Sequence, residues 1–556
     1  MQHFKIKRNW VSVLILTLLG VIGFIIFFVK LESVPKGFYV DEALHGYNAY
    51  SILQTGKDEY GKFLPIVFRM YGSYNAPLYI YLTTLPIKIW GLNPYAVRIV
   101  ASLSGFLSIF VFYFFLKNLK ISLVGSLFFA VTPWLVFQSR VGYEVSLAFF
   151  LFCAGSLFLW LSLKKSIYLI PSAVFLSFSL YAAYTERFII PPLILFFFVI
   201  FRKKILKKEN YKNIIISFAI LFLTQIPNLM IVFTPAFFPK SDLMSSSAIL
   251  SQAEKINIFP KLVAFVLSFL REFLSQYVNY FSPRSLFLSN DLDMPEMTPF
   301  YVWMVVPYLI GVVYLWKKRK EDYSKFILLV LLLSPIPAAL TKDPLSTHRA
   351  MPVVFPISLI IAFGINEVMV FLNKFKPKLL VKSLFVILFL FISLSFFWRS
   401  YFVLFINEKA RDFSFGFEEL SQLIRKDSET HYIVEDQRIK IPYIELAFFM
   451  KIDPLIYQKN IDQTIKYNYY SNTKFDPYHQ FENVETRGII WEKDIYKNQI
   501  LVGDELSISS KQAKEHFLTK VFEIDDPIHR PIFIGYKTNP GLKCASTPNK
   551  SVYCNK

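Results

Sequence analysis

The feature that most constrains this chain is a succession of about eleven apolar runs, each of roughly 20 residues, the length that an α-helix needs to cross a bilayer. Hydrophobic residues make up 54% of the 556 residues and charged residues only 18%. A soluble protein of this composition would expose large apolar patches. The sequence therefore predicts an all-α polytopic membrane protein with apolar runs near 10–29, 97–116, 121–138, 145–163, 167–183, 188–201, 213–233, 300–316, 326–341, 350–373 and 379–398.

The charge pattern predicts how these runs cross the membrane. The formal net charge is +20, and Lys and Arg cluster in the short segments between alternate runs. Cytoplasmic loops carry such clusters, which explains the basic excess without nucleic-acid binding. We therefore predict a multi-pass plasma-membrane protein with extracytoplasmic segments at 31–96, 234–299 and beyond 400.

The chain changes character near residue 400, where long apolar runs give way to a more polar tail. Short strand-like pieces and one helix-like stretch near 441–450 alternate in the tail, which favours a small α/β domain. We predict a transmembrane domain at 1–400 and an extracytoplasmic α/β domain at 401–556, with strands near 432–434, 488–491 and 531–534.

The three cysteines divide into two kinds. Cys153 lies in an apolar run and is predicted to be a small packing residue. Cys544 and Cys554 flank a short polar segment of the tail, and in an oxidising compartment they are predicted to form a disulfide. No pair or cluster of cysteines has the spacing of a zinc site.

Many unusual polar residues fall on the predicted extracytoplasmic side, at the ends of the apolar runs. Charged side chains at membrane level are costly, so a group of them usually lines a cavity or binds something charged. The alternative is a set of interfacial anchors whose charged ends reach water. The residues are Asp41, Glu42, His45, Asp58, Glu59, Arg98, Arg140, Glu144, Glu186, Arg187, Asp343, His348 and Arg349.

The acidic pair Asp41-Glu42 opens a stretch that reads as a short amphipathic helix ending by Gly56. Asp41 is then a natural N-cap, and Glu42 suits the positive end of the helix dipole. This structural role does not exclude a catalytic one, because a carboxylate at the start of a helix is held in a fixed orientation. His45 shares a helix face with Asp41. Two side chains are too few to predict a metal site.

Segment 35–46, which contains this pair, resembles the first outer loop of the protein O-mannosyltransferase superfamily, GT-C fold enzymes that take a sugar from a polyprenyl phosphate. Further matching segments include Val97-Arg98-Ile99 and the turn Ser139-Arg140-Val141-Gly142-Tyr143-Glu144. Together the matches cover most of residues 31–355 and lie at 35–46, 56–61, 75–79, 97–99, 133–134, 139–144, 335–340 and 348–350.

The resemblance implies a polyprenyl-phosphate-dependent glycosyltransferase that moves a hexosyl or pentosyl group, with inversion, to an extracytoplasmic hydroxyl of a protein or an envelope glycan. Asp41 would be the general base, with Glu42 and Glu144 as supporting acids. The leaving phosphate would be bound by cationic side chains, which suit it through charge-assisted contacts. These candidates are Arg98, Arg140, Arg187, His348 and Arg349, and His45 and Asp58 are further residues of the predicted site.

No cofactor other than the lipid-linked donor is predicted. Asp291 and Asp293 form an Asp-x-Asp sequence that would hold a divalent metal only with more oxygen ligands. Two other classes are considered: a transporter or flippase for lipid-linked glycan, and a non-catalytic membrane scaffold. A transporter predicts paired internal repeats, which the sequence lacks, and a scaffold leaves the acidic pair and the arginines without a role.

Overall fold

The computed structural model of this chain describes most of its length as helices joined by short turns. The described residues are 2–238, 244, 246–256, 258–289, 294–341, 343, 345–439, 441–459, 461, 463–475, 478–546 and 552–555. The helices up to the tail are α1 (Gln2–Phe28), α2 (Val40–Thr55), α3 (Pro77–Trp90), α4 (Pro94–Leu119), α5 (Val124–Ala130), α6 (Pro133–Arg140), α7 (Glu144–Ser162), α8 (Leu169–Ala182), α9 (Glu186–Ile200), α10 (Arg202–Ile205), α11 (Tyr211–Met230), α12 (Ser246–Glu254), α13 (Lys261–Asn279), α14 (Pro283–Phe287), α15 (Val305–Lys317), α16 (Asp322–Leu333), α17 (Ile336–Ala339), α18 (Val354–Phe371), α19 (Lys378–Phe397) and α20 (Phe405–Glu408).

The chain divides into two compact units, neither of which is continuous in sequence. The first unit consists of Met1–Leu31, Asn75–Tyr79 and Ile99–Tyr401. The second unit consists of Glu32–Tyr74, Ile80–Arg98 and Phe402–Lys556. The polar segment after the first apolar run therefore belongs to the same unit as the tail, which the sequence did not predict.

Every predicted apolar run contains a helix, and the chain is a multi-pass membrane protein. In the described part of the chain, 6 helices are long and apolar enough to cross a membrane: Pro94–Leu119, Glu144–Ser162, Lys208–Met230, Asp322–Ala339, Met351–Lys374 and Lys378–Glu408. Shorter apolar helices lie at Ser12–Phe28, Ser166–Ala182 and Val302–Lys317. The number of spans and their orientation stay predictions.

Two features of the first unit were not predicted. The run at 121–138 is two short helices, α5 and α6, rather than one continuous helix. Pro133 begins α6, and proline lacks the N–H that would continue a helix across this point. The segment 234–299 contains α12, α13 and α14. The charged pair Arg271 and Glu272 interrupts the apolar run of α13, which hid this 19-residue helix from a search for spans.

Helices α15 and α18 pack closely in the first unit because each has a glycine at the crossing. A Cβ added to Gly311 of α15 would overlap the carbonyl oxygen of Ile360, and one added to Gly364 of α18 would overlap that of Pro307. Small residues let membrane helices approach at the backbone. Any side chain at either glycine would therefore separate the two helices.

The tail forms a six-stranded mixed sheet in the second unit, with strand order β4-β5-β3-β6-β8-β7. Its central strand β3 pairs in parallel with β5 and β6, while the β4–β5, β6–β8 and β7–β8 pairs are antiparallel. All three residues of β3 are buried, as expected for a strand covered on both faces. The strands are β3 (Tyr432–Val434), β4 (His479–Phe481), β5 (Val484–Thr486), β6 (Ile500–Gly503), β7 (Thr519–Asp525) and β8 (Pro531–Lys537), and the short hairpin before α3 is β1 (Phe68–Met70) and β2 (Ser73–Asn75).

The tail also contains the helices α21 (Phe417–Lys426), α22 (Pro442–Phe449), α23 (Pro454–Lys459), α24 (Gln463–Tyr467), α25 (Trp491–Asp494), α26 (Ser510–Glu515) and α27 (Pro540–Ser546). The predicted strands near 432–434 and 531–534 and the predicted helix near 441–450 are confirmed. The predicted strand at 488–491 is wrong, because β5 ends at Thr486 and Trp491 already begins α25.

Two further predictions are confirmed. Helix α2 ends at Thr55, and Gly56 follows it in the left-handed conformation with φ of 70°, which glycine adopts without strain. Cys544 and Cys554 form a disulfide with a Cα–Cα distance of 5.6 Å. Cys153 is a buried free thiol in α7.

Candidate functional site

The first turn of α2 carries the predicted acidic pair. Tyr39 precedes the helix in an extended conformation, and its backbone N–H donates a hydrogen bond of 3.0 Å to Oε2 of Glu42. Glu42 thus satisfies one of the donors at the helix start. The prediction that Asp41 is the N-cap is wrong, because the helix begins at Val40 and Asp41 lies inside its first turn. Its charge there still suits the positive end of the helix.

Glu42 and Arg98 form a two-pronged ion pair in the interior of the second unit. Nε of Arg98 lies 2.8 Å from Oε1 of Glu42, and Nη2 lies 3.0 Å from Oε2. Both side chains are fully buried. A buried ion pair is tolerable only when its remaining donors are also satisfied.

The other donors of Arg98 bind the backbone that leads into α2. Nη1 donates to the carbonyl oxygens of Glu32 and Pro35 at 3.2 Å and 3.1 Å, and Nη2 donates to that of Gly37 at 2.8 Å. A guanidinium has five N–H donors, so all of them are engaged within the protein. Arg98 could bind a phosphate only by breaking some of these hydrogen bonds. Its contacts instead fix the start of α2.

Asp41 differs from its neighbour because its side chain is only partly buried. It interacts electrostatically with Tyr71, whose hydroxyl donates a hydrogen bond of 3.1 Å to the carbonyl oxygen of Val40. Burial raises the pKa of this hydroxyl well above its ordinary value, and the negative charge of Asp41 raises it further. The carboxylate of Asp41 therefore lies at the start of a fixed helix, beside a neutral tyrosine and partly open to solvent.

The β1–β2 hairpin holds Tyr71 near Asp41 in a strained backbone conformation. Tyr71 and Gly72 form the two-residue turn, with φ of 46° and 81°. Turns with positive φ at both positions match the twist of a hairpin, but only glycine adopts them freely. Strained residues of this kind are found at functional sites.

Asp58, a further predicted site residue, holds a turn of the second unit. Oδ1 accepts a hydrogen bond of 2.7 Å from the backbone N–H of Lys62, and Oδ2 accepts one from the hydroxyl of Tyr469. Burial raises the pKa of Asp58 to about 7 and that of Glu59 to about 8. These contacts give Asp58 a structural role. His45 is also fully buried, one turn after Asp41.

Glu144 and His348 are brought together in the first unit. Oε1 of Glu144, the first residue of α7, lies 3.7 Å from Nε2 of His348. The ring of Tyr143 meets the His348 ring edge-on, with centroids 4.9 Å apart. The side chain of Glu144 is 15% exposed and that of His348 is 35% exposed, so both remain accessible. Arg349, the next residue, pairs with Asp343 and is also partly exposed.

Arg140 and Arg187 are buried in the first unit and bind backbone. Arg140 donates to the carbonyl oxygens of Ile26 and Val29, at 2.5 Å and 2.9 Å, and so satisfies acceptors at the end of α1. Its guanidinium also lies 5.1 Å from the centre of the Tyr401 ring.

Arg187 makes the same kind of contact. It donates to the carbonyl oxygen of Phe237 and to Oδ1 of Asn228, the latter at 3.2 Å. Its guanidinium lies 4.4 Å from the Tyr184 ring centre and 4.5 Å from that of Phe237. Like Arg98, it is engaged by the protein rather than presented to a ligand.

The predicted residues thus fall into two groups, one in each unit. Asp41, Glu42 and Arg98 lie together in the second unit, and Glu144 and His348 lie together in the first. Sequence reasoning missed Tyr71 and Glu445, which interact electrostatically with Asp41. A signal for Glu445 exists in the sequence, since it is the one charged residue of the apolar helix α22.

A metal site is not evident among the described residues, where no group of three or more His, Cys, Asp or Glu side chains is placed to hold an ion. Asp291 and Asp293, the predicted Asp-x-Asp sequence, lie outside the residues that the structure describes. A divalent metal therefore stays an untested alternative.

Comparison with known proteins gives similarity of structure only. No protein-family model matches the chain, and no curated protein has a significantly similar sequence. The chain is similar to ArnT from Cupriavidus metallidurans bound to undecaprenyl phosphate, with TM-score 0.49 and 10% identity over 94% of this chain and 97% of that one. It is similar to the archaeal oligosaccharyltransferase AglB from Archaeoglobus fulgidus, in complex with an inhibitory peptide and a dolichol-phosphate, with TM-score 0.48 and 13% identity over 80% of this chain and 64% of that one.

A third similar structure is the arabinofuranosyltransferase AftD from Mycobacteria, with TM-score 0.39 and 11% identity over 96% of this chain and 40% of that one. At these identities and TM-scores the three structures assign neither a fold family nor an activity to this chain. The function proposed next rests on the residues of this chain.

Proposed function

We propose that this chain is an inverting glycosyltransferase that moves a hexosyl or pentosyl group from a polyprenyl-phosphate donor to a hydroxyl of a protein or envelope-glycan acceptor. The observation that carries the proposal is the contrast at the start of α2. Glu42 is locked in a buried pair with Arg98, whereas the neighbouring carboxylate of Asp41 is partly exposed. A base must reach the proton that it removes, and of this pair Asp41 alone is accessible.

Asp41 acts as the general base, or orients the acceptor hydroxyl for attack on the anomeric carbon. Two features suit it to this task. The helix start is fixed by the Glu42–Arg98 pair and the backbone carbonyls that Arg98 holds, so the carboxylate is preorganised. The positive end of the α2 dipole stabilises its ionised form, which is the form that accepts a proton.

The lipid phosphate leaves with negative charge and needs cationic partners more than a proton. His348 and Arg349 are the best candidates, because both are partly exposed and their carboxylate partners can be exchanged for phosphate. Glu144 supports His348 as its partner. Arg98, Arg140 and Arg187 act instead as positioning residues, since their Nη groups donate to backbone carbonyls and protein side chains.

A lipid-linked donor also suits a multi-pass membrane protein, because the polyprenyl chain partitions into the bilayer. The basic clusters between alternate apolar runs are consistent with a site on the extracytoplasmic side of the plasma membrane. The disulfide of the tail fits an oxidising compartment.

The test is transfer by purified full-length protein in detergent, given a radiolabelled polyprenyl-phosphate sugar and a crude envelope acceptor fraction. We expect label in the acceptor fraction and free polyprenyl phosphate in equal amounts. Heat-treated protein is the control. Retention of all label on the lipid with every donor tried, together with movement of that lipid across the bilayer of proteoliposomes, would instead identify a flippase.

A further inference from the structure

Glu445 is the least compensated carboxyl near the predicted acidic pair. Its side chain is fully buried in α22, and in the described part of the chain neither carboxyl oxygen meets the geometry of a hydrogen bond. Burial raises the pKa of Glu445 well above its ordinary range; Glu42 and Asp41 raise it further, and the nearby Ser414 hydroxyl lowers it. An unpaired buried carboxyl of this kind keeps its proton at neutral pH.

Packing within the second unit brings Glu445 to Asp41. Helix α22 packs against α2. Gly46 of α2 gives room to the ring of Phe448, since a Cβ at this position would collide with it. The Phe448 ring also lies 4.5 Å from that of Phe38, just before α2. Glu445 precedes Phe448 by about one turn on the same helix face.

Glu445 differs from both carboxyls of the acidic pair. It interacts electrostatically with Asp41 and Glu42, and Glu42 is held in two contacts by Arg98. Glu445 is fully buried with no hydrogen bond to its carboxyl oxygens in the described part of the chain, whereas Asp41 is partly exposed. A second negative charge beside Asp41 would be costly at this buried position, so Glu445 is the carboxyl that keeps its proton.

We propose that Glu445 is a positioning residue for the transfer reaction: its neutral carboxyl occupies the place beside Asp41 and thereby leaves Asp41 as the ionised base. The proposal rests on the function proposed above and adds to it a residue of the tail, some 400 positions later in the chain than the acidic pair. The charge state of a tail residue would then act on the predicted base without that residue taking part in the reaction.

Other titratable groups lie on the elements that pack against α22. They are His45 and Tyr47 of α2, which are fully buried, Tyr50 of the same helix, Tyr71 of the β1–β2 turn, and the exposed α21 residues Glu418, Glu419, Arg425 and Lys426. Burial raises the pKa of Tyr47 and of Tyr71 well above the ordinary value, so both tyrosines stay neutral throughout the range in which Glu445 titrates. The exposed charges of α21 are screened by water.

The test is the pH dependence of the full-length Glu445→Gln variant, with the exposed Glu429→Gln as matched control. Glutamine resembles a protonated glutamate, so transfer near neutral pH should stay within about threefold of wild type. Wild-type transfer should fall at alkaline pH, as Glu445 ionises beside Asp41, and Glu445→Gln should lose this fall. Glu429→Gln should keep it. A folded Glu445→Gln variant that is inactive near neutral pH, or one with an unchanged alkaline limb, would overturn the proposal.

A second readout does not depend on activity. A carboxyl whose pKa is raised by folding favours the folded state while protonated, and this contribution is lost as the pH rises through its folded pKa. The unfolding midpoint of Glu445→Gln should therefore exceed that of wild type by a margin that grows with pH, reaching a few degrees. If wild type transfers no sugar, the proposed function fails, but the difference in unfolding midpoint still tests whether Glu445 is neutral. Equal midpoints of the two proteins at every pH would contradict a neutral Glu445.

Discussion

Two of the predicted acidic residues each pair with a basic side chain, one pair in each unit, and the two pairs differ in kind. Glu42 and Arg98 are fully buried, meet in two short contacts and have no donor to spare. Glu144 and His348 are partly exposed and lie 3.7 Å apart in a single contact. Residues of the same charge types therefore serve two purposes: the first pair fixes a helix start, and the second has partners that a ligand can replace.

The difference between the two pairs changes the role that we assign to the arginines. From the sequence, Arg98 is one of several candidate phosphate ligands, and it lies in a segment that carries the family resemblance. In the structure its five N–H groups bind Glu42 and the backbone of 32–37. A buried cation whose donors are all engaged is a structural element, and the accessible basic side chains of His348 and Arg349 are better suited to an incoming phosphate.

Breaking the buried pair should give the largest effect. Arg98→Ala leaves Glu42 as an unpaired buried charge, so we expect the second unit to lose about 3–5 kcal/mol of stability. Arg98→Lys should not restore it, because a lysine cannot reproduce the two-pronged contact. The measurement is the yield of monodisperse protein and its thermal unfolding. A folded Arg98→Ala variant with weakened donor binding alone would return Arg98 to the phosphate site.

Breaking the accessible pair should change activity and leave folding intact. We expect Glu144→Gln to lower transfer by roughly 10- to 100-fold, because His348 loses the carboxylate partner that orients its ring. The chain offers a matched control in Lys207 and Glu209, which also lie 3.7 Å apart but are well exposed. Glu209→Gln should leave transfer and the unfolding midpoint unchanged. Equal loss in both variants would show that the Glu144 effect is not local.

The smallest expected effect concerns the buried carboxyls of the second unit. Burial raises the pKa of Asp58 to about 7 and that of Glu59 to about 8, so both favour the folded state while protonated and lose that contribution as pH rises through these values. The unfolding midpoint should therefore fall by a few degrees between about pH 4, where these groups ionise in the unfolded chain, and about pH 8. Asp58→Asn should reduce this fall, and the exposed Glu429→Gln should not. A midpoint independent of pH would show that both carboxyls are compensated.

Local signals predicted much of the fold. Apolar runs of span length mark the helices of the first unit, Gly56 marks the end of α2, and runs of β-branched residues mark β3 and β8. The strand predicted at 488–491 fails because its apolar residues lead into α25, while β5, the true strand, has Glu485 at its centre. The break between α5 and α6 before Pro133 was missed for a similar reason, since composition alone does not show where an apolar helix is interrupted.

The candidate site was predictable in its residues but not in their partners. Asp41, Glu42, Arg98, Glu144 and His348 stand out because charges at the ends of apolar runs are costly. The sequence does not show whether Arg98 faces a ligand or a carboxylate, because both satisfy the same donors. Glu445 and Tyr71 reach Asp41 only through the packing of α22 and the β1–β2 hairpin, which is long-range information.

The most direct test of the central claim is sugar transfer by Asp41→Asn, measured beside its thermal unfolding and donor binding. Asparagine keeps the size of the side chain, and because Asp41 is not the N-cap, the change removes only a charge near the helix start, worth about 0.3–1 kcal/mol. We predict that transfer falls by roughly 10²–10⁴-fold while folding and donor binding are kept. Turnover like that of wild type would contradict the assignment of Asp41 as the base.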